Sequence, residues 1–528
     1  MIKMKKRMLL GLVIILSLIS ISAVCASENA TDLEIADDDS NPLTIDEVDE
    51  SSDPGDSEPT IDDSADVGNA SSDVDDNQPV IQNSTISASN VVGYETFSTK
   101  FVAKLTADGQ PLAGKNVNIT LNDVLYKRIT DEKGQATLSV KLTKGSYKVS
   151  FFYAGDENTT ACNGTSKVTV KSPLKTSVKV FDKNINYRQG LKNVFIVRLL
   201  DVNGKPVKGQ TVTFKVNGKT YTAKTTKNGY AYAYFSLKKG TYKVKFSFTK
   251  NAPYLSSSGS AKIKVKAPIS KGNGYWVWSS HMYSVNLKKL SSLGTKHIFL
   301  HVHAISVHGK SAVISFAKKA HKYGMKVHLW MQVCYSGGKW VRPMNKDGTL
   351  RYSFLNKKIS EAKKYAKIKG IDGIHFDYIR FGGTAHLYKN PEKAINYFVK
   401  KASVGIHKIK PNCIVSAAVM PEPSMMHYYY GQDVSVMGRY LDVIVPMAYK
   451  GNYHQKTSWI TQVVSTFKKQ SQSAVIWSGI QTYHSDDNVK KLTSAQLLKD
   501  ARAGKLGGAT GSILFRIGIT HYLNFKKV

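Results

Sequence analysis

The sequence predicts a multidomain chain, two all-β sandwiches in tandem followed by an eight-stranded β/α barrel. Three observations carry that expectation. Turn glycines and strand residues recur at a fixed offset of 95 residues between Gln78 and Ile269. From Gly274, β-branched apolar runs alternate with helical periodicity through about 250 residues, the size of one barrel. Ahead of both lies Ser27 to Asn77, which holds 19 of the 39 acidic residues and no Lys, Arg or aromatic.

The boundaries expected from these shifts are 1–26, 27–77, 78–172, 173–267 and 270–528. Met1 to Arg7 is basic, Met8 to Val24 is an apolar run, and Val24-Cys25-Ala26 supplies small residues, as in a secretory leader cut after Ala26. An apolar run of that length is also near the lower limit of a membrane span, so an uncleaved anchor stays open. Ser27–Asn77 lacks the apolar surface to offset chain entropy and reads as a disordered spacer. From Gln78 onward the chain carries 70 basic and 20 acidic residues, a net of +50. Such a field attracts polyanions. Acidic glycans, teichoic-like polymers, anionic lipid and nucleic acid all qualify; the export address argues against nucleic acid, and the basic surface favours an anionic cell-wall polymer. After the leader three cysteines remain, Cys162, Cys334 and Cys413, with no disulfide framework, and free thiols are expected.

Within 78–267, Pro111 recurs as Pro206, Gly134 as Gly229, Gly145 as Gly240, Tyr147 as Tyr242 and Phe151 as Phe246. Alternating runs such as Asn116–Leu121, Ala136–Leu142 and Ser146–Phe152 read as strands, and Asn203-Gly204 and Asn228-Gly229 as turns. The order Gly-x-Pro, Thr-x-x-x-Gly-x-Ala, Lys-Gly-x-Tyr-Lys-Val resembles the Ig-like repeats of bacterial and archaeal surface proteins, which implies a stalk or adhesive module. Lys264 to Lys271 reads as a short basic linker.

The barrel strands are expected at 275–278, 297–303, 326–332, 373–377, 414–419, 443–447, 475–480 and 511–515. Barrel chemistry sits at strand C-termini, so the few carboxylates sort by position. Glu361, Glu392 and Asp500 fall in helices, Asp372 and Asp442 precede their strands, and Asp347 sits in a turn. Asp377 closes strand four and is the leading catalytic candidate; Glu422, Asp433, Asp486 and Asp487 follow strands five and seven.

Asp372-Gly-Ile-His-Phe-Asp-Tyr-Ile-Arg-Phe381 is similar to the strand-four signature of glycoside hydrolase-like barrels, and Leu441 to Tyr449 to their strand six. The resemblance covers nearly all of 274–525 and implies a TIM-type (β/α)8 barrel that cleaves carbohydrate. A partial likeness to chitinases fails at Ile379, where their general acid is a Glu. Glycoside hydrolysis needs two carboxyl groups. Asp377 is expected as nucleophile and Glu422, on the adjoining strand end, as general acid, with Asp433 either a reserve acid or the cap of the helix after it. Arg380 is expected to orient Asp377 or bind an acidic sugar, and Tyr378, Tyr449 and Trp330 to form sugar-stacking walls. His303 and His328 are expected to bond sugar hydroxyls. A rival reading makes His301, His303, His328 and His375 metal ligands of a metal-dependent hydrolase or deacetylase. No metal or cofactor is assigned. The alternative from another class is a glycan-binding adhesin whose barrel does no chemistry.

Overall fold

In the computed structural model, residues 81–528 are described. The leader and the acidic segment lie outside them. Residues 84–171 form two sheets. Thr99–Ala107 pairs with Ser84–Ser87, Gln110–Pro111 and Gln135–Val140, and faces a five-stranded sheet that includes Asn116–Leu121, Gly145–Tyr153 and Cys162–Lys171. Phe101 and Leu138 from one sheet share a core with Ile119, Phe151 and Val168 from the other. Residues 176–266 repeat the arrangement. Thr211–Val216, Tyr230–Phe235, Gly240–Phe248 and Ser257–Lys266 each stand 95 residues beyond a counterpart. Strands such as Thr99–Ala107 and Thr211–Val216 alternate buried residues with more exposed ones, as a two-layer sandwich requires.

The repeated glycines have a physical reason. Gly134 and Gly229 have φ of +70° and +78°. A Cβ would stand 2.3 Å from the Leu105 carbonyl oxygen in the first copy and 2.5 Å from that of Leu199 in the second. Gly229→Ala is therefore expected to destabilise the second sandwich by about 2 kcal/mol or more. Gly204→Ala, with φ +75° but open space around it, should cost only about 1 kcal/mol. Thermal denaturation of the two variants checks the order.

The C-terminal part is one parallel sheet. Its strands in chain order are Gly274–Val277, His297–His301, Lys326–Gln332, Gly373–Asp377, Ile414–Val419, Val443–Pro446, a seventh in two pieces, Val475–Ile476 and Ser478–Gln481, and Ser512–Phe515. Each pairs with the next, the eighth pairs with the first, and a bridge from Met447 to Gly479 joins the sixth to the seventh, so the ring is nearly closed. Helices such as Lys310–Lys322, Tyr352–Ala366, Glu392–Ile409, Thr457–Gln470 and Ser494–Leu506 lie between strands. Alternation sorts each strand: Val327, Leu329 and Met331 pack outward against the helices, whereas Trp330 joins Trp276, Phe299 and Trp477 inside.

The expected linker begins too early. Lys264 and Lys266 belong to the last sandwich strand, Ser257–Lys266, and the second sandwich docks on the barrel at the N-terminal ends of its strands. Asn186 and Arg188 reach Asp442, and Asp182 takes the Tyr440 hydroxyl and the Lys400 ammonium. Among the described residues no helix is long and apolar enough to cross a membrane. Cys162, Cys334 and Cys413 are free thiols.

Candidate active site

Asp377 ends strand four, 9% exposed, at the mouth of the ring. Its Oδ2 accepts the Trp330 indole N–H at 2.9 Å and its Oδ1 accepts the Tyr378 amide at 2.7 Å. Burial pushes its pKa up, against those two donors and the Arg380 charge, all of which favour the ionised form. The chain then turns sharply: Tyr378 has φ +50°, a left-handed conformation that costs a non-glycine residue about 1 kcal/mol. That turn lays the Tyr378 ring on Tyr335, centroids 4.7 Å apart and 18° from parallel.

Arg380 joins the two halves of the mouth. Its guanidinium stands 4.5 Å from the Trp340 ring centroid, 5.7 Å from Tyr378 and 5.3 Å from Tyr430. Its Nη1 donates to the Phe381 carbonyl, and among the described residues it forms no ion pair with Asp377. It does not orient Asp377 through a direct bond, although its charge acts on that carboxyl. Tyr430 donates its hydroxyl to Glu422, so aromatic rings and one cation link Asp377 to Glu422 along the wall. Tyr449 lies near enough for the Asp377 charge to add to burial in raising its pKa, and it stacks on Phe515. A third acid, Asp486, accepts from the Tyr483 hydroxyl at 2.8 Å and the Asn452 amide at 2.8 Å, and its charge also reaches Tyr378 and Tyr449.

Several expected site residues stand elsewhere. Strand register sets depth: Gln332 is level with Asp377, Trp330 with His375 and His328 with Gly373. His328 is therefore buried deep in the ring, its Nε2 2.8 Å from His297 Nδ1 and its ring stacked on Phe299. It cannot bond a sugar at the mouth. Trp330 is 1% exposed and acts as floor and donor under Asp377, not as an open stacking wall. Asp433 caps Val434–Met437, its Oδ1 accepting from the amides of Ser435 and Val436, which takes it out of the substrate-binding set. His303 is exposed at the rim, its Nδ1 3.1 Å from Ser306 Oγ.

The four histidines of the metal reading do not converge. His375 bonds Ser416 inside the ring, His328 bonds His297, and His301 packs on Trp278 and Trp330. Burial lowers His375 to about 3 and His301 to about 4, so both are neutral. Among the described residues no three His, Cys, Asp or Glu side chains are grouped as a metal ion needs.

Sequence reasoning missed Tyr335, Trp340 and Tyr430. Tyr335 and Trp340 pair across a Gly337-Gly338 hairpin, and aromatics flanking a Gly-Gly turn are a readable signal. The run Tyr428-Tyr429-Tyr430 was another.

Removal of the indole donor has a signed consequence. The Trp330 bond holds the Asp377 pKa down, so Trp330→Phe should raise it further. The Asp377 carboxyl, followed by carbon NMR, is expected to titrate at higher pH in that variant than in wild type; an unmoved titration would show that the bond does not act on the carboxyl.

The architecture is a nearly closed ring of parallel strands with helices between them and an acid at the end of strand four. A family model described as "Putative glycosyl hydrolase domain" matches residues 312–481, which span strands three to seven. No curated protein matches the chain. Similar solved structures include a Group II chitinase catalytic domain of Ostrinia furnacalis, 12% identical with a TM-score of 0.36 over 47% of this chain and 90% of that one. The spore cortex-lytic enzyme of Bacillus megaterium is 13% identical, TM-score 0.35, over 50% of this chain and 74% of that one. A chitinase-like agglutinin of Robinia pseudoacacia is 12% identical, TM-score 0.34, over 46% and 94%. Likenesses at this level do not identify an activity.

Proposed function

We propose that this chain is an exported, surface-displayed glycoside hydrolase, carried on two Ig-like modules, whose TIM-type barrel cleaves a cell-wall or environmental polysaccharide with Asp377 and Glu422. One observation carries the reading. A nearly buried carboxyl ends strand four, within the family match, and burial raises its affinity for a proton. A carboxyl whose proton affinity is raised in this way is suited to protonating a leaving-group oxygen. This favours Asp377 as general acid and Glu422 as nucleophile or base, the reverse of the roles suggested by strand position. Tyr335, Tyr378, Trp340 and Tyr430 supply flat faces for sugar rings, and Arg380 a cation for an acidic sugar or an anionic wall polymer.

The second reading is a glycan-binding adhesin without turnover. The same aromatic wall favours it, since stacking needs no acid. Release of reducing ends from isolated wall polysaccharides, set against binding of the same polymers, separates the two. Wild type that binds but releases nothing would leave only the adhesin. Glu422→Gln should lower release by roughly a hundredfold or more while binding persists. Full activity in that variant would move the second role to another acid, with Asp486 next in place.

A further inference from the structure

A cavity of about 730 Å³ opens between the second sandwich and the end of the barrel opposite Asp377. Its walls carry five cations, Arg188, Lys239, Lys264, Lys266 and Lys326, and one carboxylate, Asp442. That carboxylate is already engaged by Arg188 and His407. Among the described residues the four lysines make no ion pair, and the buried Arg188 Nε has no hydrogen-bond partner. The fold causes the crowding. Lys264 and Lys266 are two apart on one strand and so share a face, and the pairing of Gly240 with Val265 brings Lys239 beside them. Lys326, at the start of strand three, closes the barrel side. Burial lowers the Lys266 pKa and the neighbouring Arg188 and Lys264 charges lower it further, with Asp442 opposing.

We infer that this cleft is an anion-binding site that takes a phosphate- or carboxylate-bearing segment of a polymer. Cations of one sign in a concavity walled by low-dielectric protein focus their field inward. An oxyanion accepts from ammonium and guanidinium groups alike and relieves their mutual repulsion. The site is separate from the mouth and would let the protein grip a charged chain at one end of the barrel, whatever the mouth does. It does not depend on the catalytic reading.

The test is calorimetric titration of the full chain with inorganic phosphate, polyphosphate and oligogalacturonate. Three proteins are compared: wild type, the variant Lys239→Ala/Lys264→Ala/Lys266→Ala, and a charge-matched control, Lys100→Ala/Lys104→Ala/Lys148→Ala, altered on exposed strands of the first sandwich. None of these lysines forms an ion pair among the described residues, so both variants should fold. The expected result is binding of at least one probe, weakened about tenfold in the cleft variant and unchanged in the control. Preference for polyphosphate or for oligogalacturonate assigns the anion to phosphate or carboxylate. Equal weakening in both variants would mean diffuse surface attraction and overturn the site, as would no binding by wild type.

Discussion

Replacement of Asp377 by Asn is expected to lower glycan turnover by roughly a hundred- to ten-thousand-fold, the usual worth of a positioned acid or base. The substitution keeps size and shape, so the new carboxamide oxygen can still accept from the Tyr378 amide or from the Trp330 indole. What is lost is the ionisable carboxyl, whose proton affinity burial raises. The fold should survive, and stacking on Tyr335, Tyr378 and Trp340 should keep glycan binding within a few fold of wild type. Reducing-end release and binding of the same polymer, measured together, check this. Loss of both would point to a damaged mouth, and loss of neither would remove Asp377 from the chemistry.

Arg188→Ala is expected to cost about 3–5 kcal/mol of stability, the largest single effect away from the mouth. Asp442 is 1% exposed at the start of strand six, and its carboxylate takes Arg188 and Asn186 from the sandwich, His407 at 2.9 Å and the Val415 amide at 2.9 Å. Removing the guanidinium leaves a buried charge short of compensation. The same network sets a pH dependence. Burial pushes the Asp442 pKa up, but His407, Arg188 and Lys266 outweigh it and hold it well below the ordinary value. A depressed folded pKa gives stability that is fully present above the unfolded value of about 4 and is lost as pH falls through that value toward the folded one. Wild type should lose stability over this acid range, and Arg188→Ala should start lower and fall less. Equilibrium denaturation at neutral pH and near pH 3 checks both the offset and the slope. Equal stability of the two proteins at neutral pH would mean that the sandwich and barrel are not coupled through Asp442.

Much of the barrel was legible because its strands are short apolar runs bounded by glycine or turn residues. Lys326–Gln332, Gly373–Asp377 and Ile414–Val419 fall where the pattern puts them. The seventh strand splits because its first half pairs with Val443–Ile444 and its second with Ser512–Phe515, a change of partner that no local pattern carries. The acid at the end of strand four could be read from position alone. Depth within the ring could not. His328 and Trp330 both point inward by alternation, yet only register shows that they lie below Asp377. The aromatic wall was hidden for another reason: Tyr335 and Trp340 come from a hairpin after strand three and Tyr430 from the loop after strand five, and only the closed ring brings them around Arg380. The docked sandwich was hidden in the same way, since Arg188 and Asp442 are 254 residues apart in the chain.

Digestion of an anionic wall polysaccharide by the purified chain in heavy-oxygen water tests the central claim most directly. Hydrolysis at the Asp377 mouth predicts one heavy oxygen in every new reducing end released by wild type, and almost no new ends from Asp377→Asn. New ends without the label, no new ends from any polymer that wild type binds, or equal release by the Asn variant would contradict it.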